Sequence, residues 1–195
     1  MTQKTQPATE KYSLSELCQF IIDEEYAYDD LAEVIEKKAS YSIDSSDVEN
    51  TVKHLSDLAD HLQYMEGKSD ETIRDLCDIY LLIGDVLYAT NHFEECVQWY
   101  EKGSLIDDRF DVPLHSLGMG YLALGKIDLA LKSFKQELKV APGNYFTYFI
   151  MVDIYEYRGE LQLVEELLNA LLERDHNNVM AMHRLITFFE KLKSA

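Results

Sequence analysis

The sequence predicts an all-α protein, a solenoid of antiparallel helix pairs with a closing helix and an N-terminal helical cap. A pattern of 34 residues repeats without a gap over residues 77–110, 111–144 and 145–178, and a half-unit follows from residue 179 to 193. Within each unit the apolar residues recur at intervals of three and four, the spacing of one helical face. Gly, Asn and Pro separate the apolar stretches, where helices end or begin.

Each unit contains two apolar stripes that align with those of the other units. In the first half of the unit the aligned columns are Tyr80, Leu114, Tyr148 and Met182; Ile83, Leu117, Met151 and Leu185; Gly84, Gly118, Val152 and Ile186; and Leu87, Tyr121, Tyr155 and Phe189. In the second half they are Phe93, Ile127 and Leu161; Cys96, Ala130 and Val164; and Tyr100, Phe134 and Leu168. Each unit is therefore predicted to be a pair of amphipathic helices whose stripes form the core.

Small residues are predicted where the two helices of a unit approach closely, because a larger side chain holds the axes apart. Gly84 and Gly118 supply this contact, and we expect them to face Cys96 and Ala130. The third unit has valine in both columns, so its helices are expected to splay or repack.

The turns between helices are marked by residues that favour helix ends. Asn91, Gly125 and Gly159 occupy the position where a left-handed residue ends a helix. Pro113 and Pro142 lie where a helix has just begun or has ended.

These columns give the chain a resemblance to the tetratricopeptide repeat family. The second unit carries nearly the whole signature, with Leu114, Leu117, Gly118, Tyr121, Ala130, Phe134 and Pro142. The first unit has Asp108 in the proline column, and the third keeps Tyr155 but lacks the glycine and the alanine. The resemblance covers residues 77–195 and implies a right-handed superhelix with a concave groove that binds other proteins.

The N-terminal third does not match the repeat. Residues 1–12 are predicted to be a disordered tail, and residues 13–76 a helical cap or a degenerate repeat. We favour the cap, since the ends of a solenoid must be shielded from solvent. A helix is predicted near residues 47–65, and Ser69 is expected to start another that continues into the first unit.

The charge and the cysteine usage exclude several classes of partner. A formal net charge of -18 opposes binding to nucleic acid or to an anionic membrane. The sequence contains no apolar run long enough for a membrane helix. Its three cysteines lack CxxC spacing, which argues against a disulfide framework. We therefore expect a cytoplasmic protein.

No motif of a known enzyme class is present, and we predict neither an enzyme nor a bound cofactor or metal. His54, Asp57 and His61 share one face of a predicted helix and are the best alternative, a metal site. They flank an apolar stripe, so a solvated helix flank is the preferred interpretation. Cys96 is expected to be a packing residue, because burial makes a thiol unreactive.

The resemblance implies that the groove is lined by first-helix residues that lie away from the packing stripe. The predicted lining is Leu81, Asp85, Tyr88, His115, Met119, Leu122, Phe146, Phe149, Asp153, Tyr157 and His183, with Asp78, Glu156, Met180 and Lys191 beside them. Relatives that grip the C-terminal carboxylate of heat-shock chaperones have Lys, Asn and Arg where this chain has Leu81, Asp85, His115, Met119, Phe149 and Asp153. A neutral or basic segment with apolar anchors is expected, with Phe146 and Phe149 as the main contacts.

The predicted function is therefore a scaffold or adaptor that binds a peptide segment of another protein. A narrower version is an export chaperone, since the size, the acidity and the repeat number also resemble those of type III secretion translocator chaperones. A structural module that forms homodimers is the second alternative.

Overall fold

The computed structural model describes residues 45–64, 68–106 and 112–194, and this part of the chain forms eight α-helices and no strand. The helices are α1 (Ser45–Tyr64), α2 (Asp70–Ala89), α3 (Phe93–Ile106), α4 (Val112–Ala123), α5 (Ile127–Val140), α6 (Tyr145–Arg158), α7 (Leu161–Arg174) and α8 (Val179–Ser194). Each helix packs against the ones before and after it in the chain. The fold is thus an all-α helical repeat solenoid, as the sequence predicts.

A left-handed residue ends the first helix of each pair. Asn91, Gly125 and Gly159 have φ angles of 63°, 69° and 72°, which confirms the predicted helix ends. Glycine adopts this conformation without strain, and asparagine tolerates it better than most residues. Pro113 is the second residue of α4, where no intrahelical partner for a backbone N–H is needed, and Pro142 follows the end of α5.

The first two helix pairs are held together by an aromatic ring that lies against a glycine. A Cβ atom on Gly84 would lie 2.2 Å from Cε1 of Tyr100, and one on Gly118 would lie 2.3 Å from Cε1 of Phe134. Both rings are buried. The absent side chains therefore let α2 approach α3, and α4 approach α5, until the ring of one helix covers the backbone of the other.

The expected partners of these glycines were wrong in detail. Cys96 and Ala130 are fully buried, but the atoms closest to Gly84 and Gly118 belong to the aromatic rings one turn further along the second helix. The Sγ atom of Cys96 lies 3.5 Å from the Cβ position of Gly120, which is on the first helix of the next pair. The small residue Cys96 therefore packs against the first helix of the next unit, and not only against its own partner helix.

The third pair packs without a glycine contact. Val152 and Val164 are fully buried, and Leu168 replaces the aromatic ring of the earlier pairs. As expected from these substitutions, α6 and α7 pack less closely than α2 and α3 or α4 and α5 do.

Helix α1 covers the outer side of α2. Its buried residues are Val48, Thr51, Leu55 and Ala59. The hydroxyl of Tyr80 on α2 donates a hydrogen bond of 2.9 Å to Oε1 of Gln63. Helix α1 therefore contributes to the same hydrophobic core as the repeats.

Helix α2 begins before the first repeat and continues into it without a break. The Ser69 side chain accepts a hydrogen bond of 3.1 Å from the backbone N–H of Thr72, which caps the helix. The tail and the helices predicted before residue 45 lie outside the described residues. The assignment of residues 13–76 as a cap or a degenerate repeat stays a prediction.

A buried carboxylate connects the second and third helix pairs. Glu137 on α5 is 0% exposed. Its Oε1 atom accepts hydrogen bonds of 2.7 Å from the Thr147 hydroxyl and 2.5 Å from the Asn144 amide. Its Oε2 atom lies 3.1 Å from Nδ1 of His115 on α4. The sequence alone does not reveal this network, because a glutamate in an amphipathic helix usually faces solvent.

We expect Gly84→Ala and Gly118→Ala to destabilise the fold by about 1–3 kcal/mol, because the added methyl group overlaps a buried ring. Urea unfolding measures the loss. Gly143→Ala is the matched control, since no atom lies within 4 Å of its Cβ position, and it should change stability by less than about 0.5 kcal/mol. Equal stability of all three variants would show that the ring contact does not limit the approach of the helices.

Glu137→Ala should cost about 3 kcal/mol or more in free energy of unfolding, because it leaves the Thr147, Asn144 and His115 groups without their acceptor. Glu173→Ala on exposed α7 surface is the control and should be nearly neutral. Thermal melts of the two variants measure the difference. A Glu137→Ala protein as stable as the control would mean that the network does not hold the two pairs together.

Candidate functional site

The predicted groove residues lie on the first helices of the repeats, α2, α4, α6 and α8. We call the side of these helices that carries them the first-helix surface; it comprises Asp85, Tyr88, His115, Met119, Leu122, Phe146, Asp153, Tyr157 and His183. Helices α2 and α4 are in direct contact, so equivalent positions of the first two units are neighbours.

The most exposed apolar groups of this surface are on α6 and α8. Phe146 is 59% exposed and Tyr157 is 91% exposed, and Met180 and His183 are also exposed. The ring of Phe146 lies against the ring of Tyr145, with 4.4 Å between the centroids. Tyr145 on the same helix therefore supports the ring of Phe146, and more than half of the Phe146 side chain remains accessible.

Two of the predicted contact residues belong to the core. Leu81 is 2% exposed and Phe149 is 9% exposed. Phe149 also packs edge-on against Tyr145, with 6.3 Å between the centroids. The packing of neighbouring helices covers both side chains and leaves little of their surface for a ligand, so their role as ligand contacts stays a prediction.

Three further residues of the predicted lining are only partly accessible. Tyr88, Met119 and Leu122 are half-buried and pack against the core. The ring of Tyr88 lies 5.4 Å from that of Phe93 in an edge-to-face arrangement. These side chains give α2 and α4 a half-buried apolar surface, whereas the more exposed aromatic side chains Phe146 and Tyr157 are on α6.

The carboxylates of α2 lie at one end of this surface. Asp85 accepts a hydrogen bond of 2.6 Å from the hydroxyl of Tyr100. Burial raises the pKa of Asp78 to about 6, with a further contribution from the negative charge of Asp75, while Arg74 acts against it. Both groups are therefore half-buried acids rather than freely solvated ones.

The carboxylates of α6 are paired with cations of the closing helix. Arg184 donates a hydrogen bond to Asp153, and Nζ of Lys191 lies 3.7 Å from Oε2 of Glu156. Asp153 was expected to attract a basic ligand. The ion pair reduces that role, because the positive charge already lies within the same chain.

His115 takes part in the buried network of Glu137. Its Nδ1 atom lies 3.1 Å from Glu137 Oε2 and 3.2 Å from the Thr147 hydroxyl. Its side chain is 32% exposed, so one edge of the ring reaches the first-helix surface while the other connects to the core. His115 is thus mainly part of the buried network, and only a minor part of its side chain reaches the surface.

The alternative metal site gains no further ligand. His54, Asp57 and His61 are exposed along α1. Across the described ranges, no group of three His, Cys, Asp or Glu side chains is arranged to hold a metal ion. Burial raises the pKa of the Cys96 thiol to about 12, with the negative charges of Asp85 and Glu94 acting in the same direction, so the thiol is unreactive near neutral pH.

Two residues that shape this surface, Tyr145 and Arg184, are absent from the predicted lining. Tyr145 orients both neighbouring phenylalanines, and its place at the first residue of α6 next to Phe146 was a usable signal. Arg184 neutralises Asp153, but a pairing over 31 positions is set by how α8 packs on α6.

None of the helices in the described ranges is long and apolar enough to cross a membrane.

Sequence comparison identifies one repeat directly. A family model described as tetratricopeptide repeat matches residues 78–109. A search of curated proteins finds no match to the chain. The matched stretch contains most of α2 and all of α3, the pair that is closed by the contact of Gly84 with Tyr100.

Structural comparison extends the similarity along the chain. BtubC (BKLC) from P. vanneervenii is similar with a TM-score of 0.61 and 13% identity, covering 94% of this chain and 84% of that one. The first tetratricopeptide repeat domain of Spaghetti (RPAP3), bound to the HSP90 peptide SRMEEVD, has a TM-score of 0.51 and 17% identity over 60% and 93% of the two chains. YrrB, a tetratricopeptide protein with an unusual peptide-binding site, has a TM-score of 0.50 and 14% identity over 92% and 98%. Residues 78–109 therefore match the tetratricopeptide repeat model, and the described chain has a helical-repeat fold similar to that of tetratricopeptide proteins.

Proposed function

We propose that this protein is a non-catalytic, cytoplasmic scaffold whose first-helix surface binds an apolar, neutral-to-basic segment of another protein. The observation that carries the proposal is the accessible aromatic group of Tyr145, Phe146 and Tyr157 on α6. Exposed aromatic side chains that are already ordered lose little entropy on binding and often carry most of the interface energy. Two proteins of the same fold, Spaghetti (RPAP3) and YrrB, are described with a bound peptide and a peptide-binding site.

The charges give the bound segment a direction. Asp78 and Asp85 lie on α2, whereas the carboxylates of α6 are paired with Arg184 and Lys191. A segment with apolar residues at one end and basic residues at the other is therefore expected to place its apolar end on α6 and its basic end toward α2. Among the described residues of this surface, Asp85 and Asp153 are acidic and the neighbouring Arg184 and Lys191 already pair with carboxylates, which disfavours an acidic peptide tail such as the EEVD end of the HSP90 peptide. The export-chaperone version stays a prediction, since no feature of the described surface favours it.

We expect Phe146→Ala and Tyr157→Ala each to weaken peptide binding by roughly thirtyfold, the equivalent of about 2 kcal/mol, because both remove an accessible anchor. Peptides selected from a displayed random library on the wild-type chain are the probes, and fluorescence anisotropy measures their affinities. Tyr64→Ala is the matched control, because Tyr64 is 80% exposed but lies on α1. The Tyr64→Ala variant should bind the selected peptides as tightly as the wild type does.

Thermal stability separates the anchors from the core in the same experiment. Phe146→Ala should melt like the wild type, whereas Phe149→Ala should lose about 3–5 kcal/mol because it opens a cavity. Selected peptides that bind the two anchor variants as tightly as the wild type would place the binding site elsewhere.

A second candidate function is self-association through α8. Val179, Met182, Ile186 and Phe189 form an exposed apolar stripe on this helix. The last three occupy columns that are buried in the earlier pairs, except for the half-buried Leu114 in the column of Met182. The charged residues of α8 are Arg184, Glu190, Lys191 and Lys193, so two copies meeting here would avoid the repulsion of the acidic remainder of the surface.

If α8 pairs with a second copy, Ile186→Asp should convert a dimer into a monomer, because it places a charge in the middle of the stripe. Light scattering coupled to size-exclusion chromatography measures the mass over a range of protein concentrations. Leu105→Asp, at a site that is 85% exposed on α3, is the control and should leave the mass unchanged. A wild-type monomer at high concentration would remove this candidate.

A further inference from the structure

A cleft of about 510 Å³ lies between α5, the end of α6 and the beginning of α7, away from the first-helix surface. Four cations line it, Lys132, Lys135, Lys139 and Arg158, together with two carboxylates, Asp128 and Glu160. The cleft is therefore lined by an excess of two positive charges in a chain whose formal net charge is -18.

The positive charge of the cleft is not neutralised by its own acids. Both carboxylates pair with the same cation, since Arg158 lies 2.8 Å from Asp128 and 3.7 Å from Glu160. Lys132, Lys135 and Lys139 are exposed, and none forms an ion pair with a carboxylate in the described part of the chain. Their spacing of three and four residues places the three ammonium groups along one face of α5.

The floor of the cleft is apolar. Leu131 and Tyr155 are buried beneath the lysines, and Leu163 of α7 is half-buried beside them. Nζ of Lys135 lies 5.7 Å from the centroid of the Tyr155 ring, which holds this lysine over the floor. A ligand that matches the site therefore combines negative charges with an apolar group.

We propose that this cleft binds an acidic segment of another protein that carries an apolar residue between its acids. Concave surfaces concentrate the field of their charges, so a local positive cleft attracts such a segment despite the acidity of the whole chain. Lys132 and Lys139 are seven residues apart, which corresponds to about 10 Å along α5, and three or four residues of an extended peptide can follow this distance. A polynucleotide is disfavoured, because its phosphates beyond the cleft would meet the acidic surface.

The proposal is tested with a fluorescein-labelled peptide of Glu with interspersed Leu and with its Gln-for-Glu counterpart. Anisotropy measures binding to the full chain. The acidic peptide should bind and its neutral counterpart should not, and the affinity should fall as salt increases from about 50 to about 300 mM. The variant Lys132→Glu/Lys135→Glu/Lys139→Glu should bind the acidic peptide more weakly by about tenfold or more.

The matched control is Lys53→Glu/Lys68→Glu/Lys193→Glu, which changes the net charge equally at exposed lysines outside the cleft. Its affinity should stay within about twofold of the wild type. Circular dichroism melts show whether the variants are folded, and Lys132→Gln/Lys135→Gln/Lys139→Gln replaces the charge-reversal variant if that protein is unfolded.

Three results would overturn the proposal. One is the absence of saturable binding of the acidic peptide to the wild type up to about 1 mM. Another is an equal loss in the cleft variant and the control, which would mean that only the net charge matters. The third is tighter binding of an oligodeoxythymidylate of matched charge through the same three lysines, which would assign the cleft to nucleic acid.

Discussion

The contact of an aromatic ring with a glycine of the facing helix is the interaction on which the solenoid depends. Where Gly84 meets Tyr100 and Gly118 meets Phe134, the two helices of a pair share a buried ring instead of holding each other apart. That distance fixes how the apolar stripes interdigitate, and thereby which residues of each first helix are covered. Because the helices approach so closely, Leu81 is buried in the core and Tyr88 is half-buried.

The contact is absent in the C-terminal part, and other interactions replace it. The third pair packs around Val152 and Val164, while polar groups attach it to its neighbours. The buried Glu137 carboxylate bonds to the residues that begin α6, and Arg184 connects α8 to Asp153. Most of the exposed aromatic and aliphatic side chains also lie in this half, although Tyr64 and Leu105 are exposed on α1 and α3. More apolar surface is thus exposed where the helices pack less closely.

The distribution of charge divides the surface into regions with different preferences. The chain is strongly acidic, yet Lys132, Lys135 and Lys139 gather on α5, while Asp78 and Asp85 remain on α2. One cation, Arg158, pairs with both acids of the cleft between α5, α6 and α7. Regions of opposite local charge therefore coexist in one acidic chain, because the net charge does not determine the local potential.

The sequence by itself determined the fold class, the helix pairs and the three left-handed helix ends, since helical periodicity and the residues Asn91, Gly125 and Gly159 act over a few neighbouring positions. It also indicated which helices carry the candidate surface. Only the tertiary structure decided that Phe149 is core and Phe146 accessible, although they are three positions apart on one helix. The pairing of Arg184 with Asp153 and the burial of Glu137 likewise join residues from different helices. Such contacts depend on the angle and distance between helices, which local spacing in one sequence does not specify.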